Sequence, residues 1–331
     1  MTPATLGVVL IGRNEGERLR RALASLPPQL GGAVYVDSGS SDGSVEAARA
    51  AGLDVVELDL ATPFTAARAR NAGAARLLER HPGLEAVMFM DGDCSLAPGW
   101  IDVAVEALTA HPEWVAVCGW RRERRPETSL YNRLCDLEWT APPLGDVGDF
   151  GFGGDVVIRT GAFRAAGGYD ASLIAGEDPE LSARLRWAGG AVVRLDRPMT
   201  EHDADMHRFA SWWIRSVRAG HAFAEVAHRH RGRGLFRRNL RSTLVLGLAV
   251  PGGAIALLPW APWAGVALLA VWPLQALRVA GAMDGARFSW RERLLWGGSC
   301  MVSQVPKLWG TVRFHANRLR GRRESLLEYK S

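Results

Sequence analysis

Asp91-Gly92-Asp93 closes the apolar run at residues 86–90. Two carboxylates one residue apart at a strand end can chelate a divalent cation at the carboxyl edge of a sheet, where open α/β folds bind their ligands. Their hard oxygens suit Mg²⁺ or Mn²⁺, ions that commonly grip substrate phosphates. The plainer reading is a surface turn, since Asp and Gly are common turn residues. A second acidic pair, Glu177-Asp178, precedes Pro179-Glu180. A carboxylate there can take the proton of an attacking hydroxyl. The same residues fit a helix start, where the macrodipole favours acids, and such a start is a rigid mount for a base.

The elements that must position these groups are legible around them. Residues 6–11 form a short apolar run rich in β-branched side chains, and Gly12-Arg13-Asn14-Glu15 follows. Leu19, Leu23 and Leu26 then recur at helical spacing until Pro27-Pro28. Residues 33–36 predict a second strand running into 37–44, with a helix from about Val45. A third strand is predicted over 54–58, a helix over 66–80, and a fourth strand over 87–90. Strand, loop and helix repeating in this way predict an α/β domain with a mostly parallel sheet, its polar loops gathered at one edge.

With these residues in hand the chain resembles the family 2 glycosyltransferases of the GT-A fold. The resemblance is carried by Ile11-Gly12-Arg13-Asn14-Glu15, by Asp37-Ser38-Gly39-Ser40-Ser41-Asp42-Gly43-Ser44, by Ala69-Arg70-Asn71-Ala72-Gly73 and by Asp91-Gly92-Asp93. It continues through Gly167-Gly168-Tyr169-Asp170 and Gly176-Glu177-Asp178, over roughly the first two-thirds of the chain. Ser38 stands where many members carry a second Asp. The resemblance implies transfer of a sugar from a nucleotide donor with inversion at the anomeric carbon. It implies that Ile11, Arg13, Asn14 and Glu15 cup the nucleoside, with Asp37 and Ser38 fixing the base. Arg70 would lie near the diphosphate, where a guanidinium pairs with phosphate oxygens; the alternative is a solvated arginine on a helix face. Asp93 would ligate the metal directly, with Asp91 and Gly92 at the ribose or a metal-bound water. The family often adds a downstream His, and His202, after a strand at 191–195, is better placed than His207. Asp178 would be the base and Glu177 would orient it or bind acceptor.

Between these motifs, Arg121-Arg122-Glu123-Arg124-Arg125 reads as a solvated charge run, and Trp120, Tyr131, Trp139 and Pro142-Pro143 indicate a loop over the active site. Phe150-Gly151-Phe152-Gly153-Gly154-Asp155 combines flexible backbone with aromatics, which makes Gly154 and Asp155 candidate donor-sugar contacts. Arg184-Leu185-Arg186-Trp187 resembles part of the Gln-x-x-Arg-Trp motif of processive synthases. Ala183 occupies the Gln position, and there are few candidate membrane spans, so transfer of one sugar per acceptor is expected.

Beyond about residue 225 the chain changes character. Residues 243–280 are nearly uncharged and are split by Pro259-Trp260-Ala261-Pro262-Trp263 into two stretches of roughly one bilayer crossing each. Tryptophans at the break suit a membrane interface, and basic residues on both flanks (Arg229 to Arg241, then Arg278 to Arg293 and Arg318 to Arg323) place both ends at the cytoplasmic face. Pro251-Gly252-Gly253 leaves a kinked or re-entrant first leg open, and 294–309 reads as an amphipathic stretch at the interface. The expected organisation is therefore a GT-A domain over 1–225 and a membrane-associated region over 226–331.

A net charge of +5 suits anionic lipid and nucleotide donors, and no nucleic-acid-binding motif accompanies it. Residues 6–11 are too short for a signal peptide, and Cys94, Cys118, Cys135 and Cys300 have neither metal nor disulfide spacing. Both point to a cytoplasmic catalytic domain at the inner membrane, with oligomerisation left open. The expected enzyme is a metal-dependent inverting transferase using a UDP- or GDP-sugar, with a lipid-linked or glycan acceptor in envelope or exopolysaccharide synthesis. A polyprenyl-phosphate sugar synthase, a nucleotidyltransferase and a non-catalytic nucleotide-sugar-binding scaffold are the rival readings.

Overall fold

The structure, a computed structural model, describes residues 1–322. Arg323, the last of the basic residues singled out above, lies outside the described residues. They fall into two compact units, Met1–Arg125 with Pro142–Ala204, and Pro126–Ala141 with the chain from Asp205 onward.

The first unit is built on a nine-stranded sheet. Its strands in chain order are β1 (Leu6–Gly12), β2 (Gly32–Asp37), β3 (Asp54–Glu57), β4 (Ala86–Asp91), β5 (Cys94–Leu96), β6 (Trp114–Glu123), β7 (Gly145–Asp146), β8 (Val156–Arg159) and β9 (Ala191–His202). The sheet order is β3-β2-β1-β4-β8-β6-β9-β5, with β7 also on β9. β3, β2, β1 and β4 run parallel, as do β6 and β9, while β8 is antiparallel to both β4 and β6. The sheet is mixed: six strands share one direction, as the α/β pattern predicts, and β8, β5 and β7 run against it.

That reversal positions the site. β4, β6 and β9 all end at one edge, and β8 begins there, so Asp91, Glu123, His202 and Asp155 converge from distant parts of the sequence. β1 and β4 are buried along nearly their whole length, which is why they read as continuous apolar runs without alternation. Each large side chain such as Phe89 or Met88 contributes about 1.5–3 kcal/mol by leaving water. The helix Ala66–Arg80 begins at Thr65, whose hydroxyl accepts from the Arg68 amide. It lies so close to the sheet that a Cβ on Gly73 would collide with Val9 and Val36.

The second unit is helical. Arg237–Leu257 and Pro262–Ala282 are each long and apolar enough to cross a bilayer, and only 28% and 11% of their most apolar windows are buried within the chain. Neither leg is broken at Pro251-Gly252-Gly253. The irregularity falls instead at Val245–Ala249, which is π-helical. There the Val250 amide reaches Val245 O, and the next such bond would need an N–H that Pro251 lacks. Leu246 O, left without that partner, accepts from Trp272 Nε1 on the second leg at 2.9 Å. The stretch expected as one amphipathic segment over 294–309 is divided between two helices, Trp290–Val302 and Gln304–Leu319. The latter packs along Phe209–Arg229, a helix that the composition change at 225 had grouped with the catalytic region. Gly220 and Gly310 make that packing possible: a Cβ on either would strike backbone of the opposite helix, at Lys307 and Val217 respectively.

Candidate active site

The nucleotide-side loops are tied to each other. Asn14, held at φ 55°, accepts from the Ser41 amide at 2.8 Å through Oδ1 and donates its own amide to Ser40 Oγ at 2.9 Å. Asp42 accepts from the Gly16 amide at 2.8 Å. Asp37 Oδ2 accepts from the amides of Gly39 and Ser40, both at 2.8 Å, and Tyr35 donates to its other oxygen at 3.2 Å. Asp37 and Asn14 thus shape the loops that the resemblance assigns to the nucleoside. Ser38 is buried, and its hydroxyl has no hydrogen-bond partner among the described residues. Arg13 is exposed at the rim, and Glu15 pairs with Arg18 at 2.9 Å. Ile11 is a core residue whose carbonyl accepts from the Gly92 amide at 2.7 Å. A Cβ at Gly92 would sit 3.0 Å from that same oxygen, so the D-G-D turn needs a residue without a side chain at its centre.

Arg70 joins the two acidic motifs. Its guanidinium donates to Asp91 Oδ1 at 2.8 Å, to Glu177 Oε1 at 2.7 Å and to Asp178 Oδ1 at 3.1 Å, and lies over the Tyr169 ring. It is not a solvated helix-face arginine; it is a buried counter-ion for three carboxylates. Burial opposes its charge, but Asp178, Asp91 and Glu177 outweigh it and keep the guanidinium protonated. The adjacent Asn71 pins the chain leading to the acidic pair, donating to Tyr169 O at 2.7 Å and accepting from the Tyr169 amide at 2.9 Å. Burial lifts the Asp178 carboxyl to about 8, with Arg70 opposing the shift and Glu177 and Asp91 adding to it. A carboxylate of that basicity is suited to receive a proton near neutral pH.

Asp155, expected among the donor-sugar contacts, has another role. It is fully buried; Oδ1 accepts from the Asp91 amide at 3.1 Å, and Oδ2 from Arg121 Nε at 3.0 Å and from the Thr200 hydroxyl. It locks the D-G-D turn from below. Gly154, at φ 97°, has no room for a side chain because Arg121 and Asp91 close over it. Arg121 is the residue that the charge run concealed. Trp114–Glu123 is a strand rather than a solvated face, and Arg121 and Glu123 point inward while Arg122 and Arg124 point outward. The alternation was the available signal, masked because every member of the run is charged. The region expected as a covering loop is the helix Leu130–Thr140 in the second unit.

Both Asp91 oxygens accept from guanidinium groups, Arg70 and Arg121 at 2.8 and 3.2 Å, and Asp93 and His202 form a second cluster of possible metal donors beside them. His202 is opposite Cys94 in the β5–β9 register, and its Nε2 lies 3.3 Å from Asp93 Oδ2. Burial pulls the imidazole below its ordinary pKa of about 6.5. A neutral ring carries one N–H for two carboxylate neighbours, so one face presents nitrogen and oxygen lone pairs together. That donor set fits a divalent ion with nitrogen and oxygen ligands. Cys94, not marked by any spacing in the sequence, lies with Asp93 and His202, all three donor atoms within 4.8 Å of one another. Its thiol is pushed up by burial and stays protonated, so it lines the group rather than completing it.

Residues 8–166 match the family model described as glycosyl transferase family 2. This stretch is a family 2 glycosyltransferase domain. The mannosyltransferase PcManGT from Pyrobaculum calidifontis, solved in complex with GDP-Man and Mn²⁺, is similar in structure over 96% of this chain and 88% of its own, at 20% identity and a TM-score of 0.64. That likeness extends over residues of both units. Glucosyl-3-phosphoglycerate synthase from Mycobacterium tuberculosis, solved with Mn²⁺, UDP and glucosyl-3-phosphoglycerate, aligns over 68% of this chain and 79% of its own, at 18% identity and a TM-score of 0.49. No curated protein matches the chain in sequence.

Proposed function

We propose that the protein is a metal-dependent, inverting glycosyltransferase. It would move one sugar from a nucleoside diphosphate donor to a hydroxyl of a lipid-linked or glycan acceptor at the cytoplasmic face of a membrane. The observation that carries this reading is the Arg70 bridge, which holds Asp178 and Asp91 on one guanidinium. The proton acceptor and the acidic turn beside Asp93 are thereby set side by side at the same sheet edge. The GDP-Man and Mn²⁺ in the similar mannosyltransferase support the donor class and the metal.

Asp93 and His202 would hold the ion, which when bound offsets charge on the departing diphosphate. Asp178 would accept the acceptor hydroxyl's proton as its oxygen approaches C1, and Glu177 and Arg70 would fix the angle of that carboxylate. A single displacement with base and leaving group on opposite sides of C1 inverts the anomeric centre. The weakly buried apolar pair Arg237–Leu257 and Pro262–Ala282 supports membrane attachment and hence a membrane-borne acceptor.

The test is a donor screen on the full chain in detergent with Mn²⁺ or Mg²⁺ and a membrane lipid extract, following nucleoside diphosphate release and the anomeric configuration of the product. Release from one donor, inversion in the product, and loss in Asp93→Ala and Asp178→Ala are expected. Retention of configuration, or turnover undiminished in Asp178→Ala, would overturn the assignment of the base; failure to bind any nucleotide sugar would overturn the whole reading.

A further inference from the structure

A buried carboxylate beside the candidate metal pair has no part in the proposed chemistry. Glu123 ends β6, opposite His202 in the β6–β9 register, with its side chain removed from solvent. Its Oε1 accepts from the Arg125 amide at 3.1 Å and its Oε2 from the Ala204 amide at 3.0 Å. The same Oε2 lies 3.9 Å from His202 Nδ1, on the far side of the ring from Asp93. The turn after His202 is held a second time through Asp203, which pairs with Arg21 at 2.8 Å and Arg125 at 3.3 Å.

We propose that Glu123 is a positioning residue for the metal: it draws the single N–H of His202 to Nδ1 and so turns the Nε2 lone pair toward Asp93. This rests on Asp93 and His202 being the ligands. Carboxylates that orient a ligating imidazole in this way fix both its tautomer and its tilt, and their loss typically weakens metal binding 10–100-fold. Glu123→Gln keeps an acceptor for one of the two backbone amides and can offer an N–H to Nδ1. That would drive the imidazole proton to Nε2, where it faces Asp93 and blocks ligation.

The experiment is a Mn²⁺ titration of the full chain in detergent followed by the EPR signal of free Mn²⁺, alone and with UDP or GDP. It compares wild type, Glu123→Gln, Glu123→Asp and His202→Ala, with thermal unfolding recorded for each. The expected result is a Mn²⁺ Kd raised about 10–100-fold in Glu123→Gln, measured below its unfolding transition, and partly recovered in Glu123→Asp. An unchanged Kd in Glu123→Gln while His202→Ala loses Mn²⁺ would overturn the positioning role alone. Unchanged Kd in both would show that His202 is not a ligand and would remove the premise. If Glu123→Gln unfolds early and binds Mn²⁺ normally below its transition, the carboxylate serves only the turn, and the proposal fails.

Discussion

Charge is withdrawn from water at the sheet edge of the first unit, whereas along the helices of the second unit apolar surface is left facing outward. At the edge, Arg70 and Arg121 are buried among Asp91, Asp155, Glu177 and Asp178, each cation sharing more than one carboxylate. In the tail, Leu248, Ile255, Val266 and Leu274 are exposed on helical stretches that hold no acidic residue. The two regions differ in what replaces water. The first brings its own counter-charges, so its geometry is fixed before substrate arrives. The second leaves most of its apolar windows uncovered among the described residues.

Breaking the first arrangement at its reacting end should have the largest effect. Asp178→Asn keeps the shape and removes the proton acceptor, so turnover should fall about 10²–10⁴-fold with donor binding retained, measured by steady-state kinetics and a nucleotide-binding assay. Arg70→Met should be the most damaging to folding. It leaves three carboxylates without their shared cation, a loss of about 3–5 kcal/mol for a broken buried pair, visible as a lowered unfolding transition. Retained stability in that variant would mean the carboxylates do not depend on the pairing. The second region is tested by Ile255→Lys, which should weaken association with liposomes by about 2.5–3.5 kcal/mol at a helix centre, read by flotation; a soluble null effect would argue for a protein partner instead.

Smaller effects sharpen the contrast. Asp178 is lifted to about 8, so below that pH it holds a proton and cannot accept another. Turnover should rise about tenfold per pH unit up to that point and level off above it, and Asp178→Asn should flatten the profile. Trp272→Phe removes the indole donor to Leu246 O and should cost about 1 kcal/mol, detectable as a modest shift in thermal unfolding in detergent.

The acidic motifs are legible in the sequence because each follows a local pattern: Asp91 and Asp93 end a fully apolar strand, and Asp178 opens a helix after Gly176. The sheet's parallel half is legible for the same reason. The partners are not, because they are set by cross-strand register rather than by neighbours in the chain. Nothing near Arg121 shows that it meets Asp155, 34 residues on, or that Glu123 meets His202 across β6 and β9. Arg70 is marked by family resemblance but not its partners, since a residue's type does not reveal whether it will meet phosphate or carboxylate. β8 is the element whose direction the pattern could not give: strand polarity is invisible to period-two alternation, and this one reversal carries Asp155 to the working edge.

Pro251 has a consequence for how the tail is assembled. Because it removes the donor that Leu246 O would use in its own helix, Arg237–Leu257 leaves a carbonyl that Trp272 of the neighbouring helix satisfies. The pair, and not the single helix, is therefore the unit in which that carbonyl is satisfied.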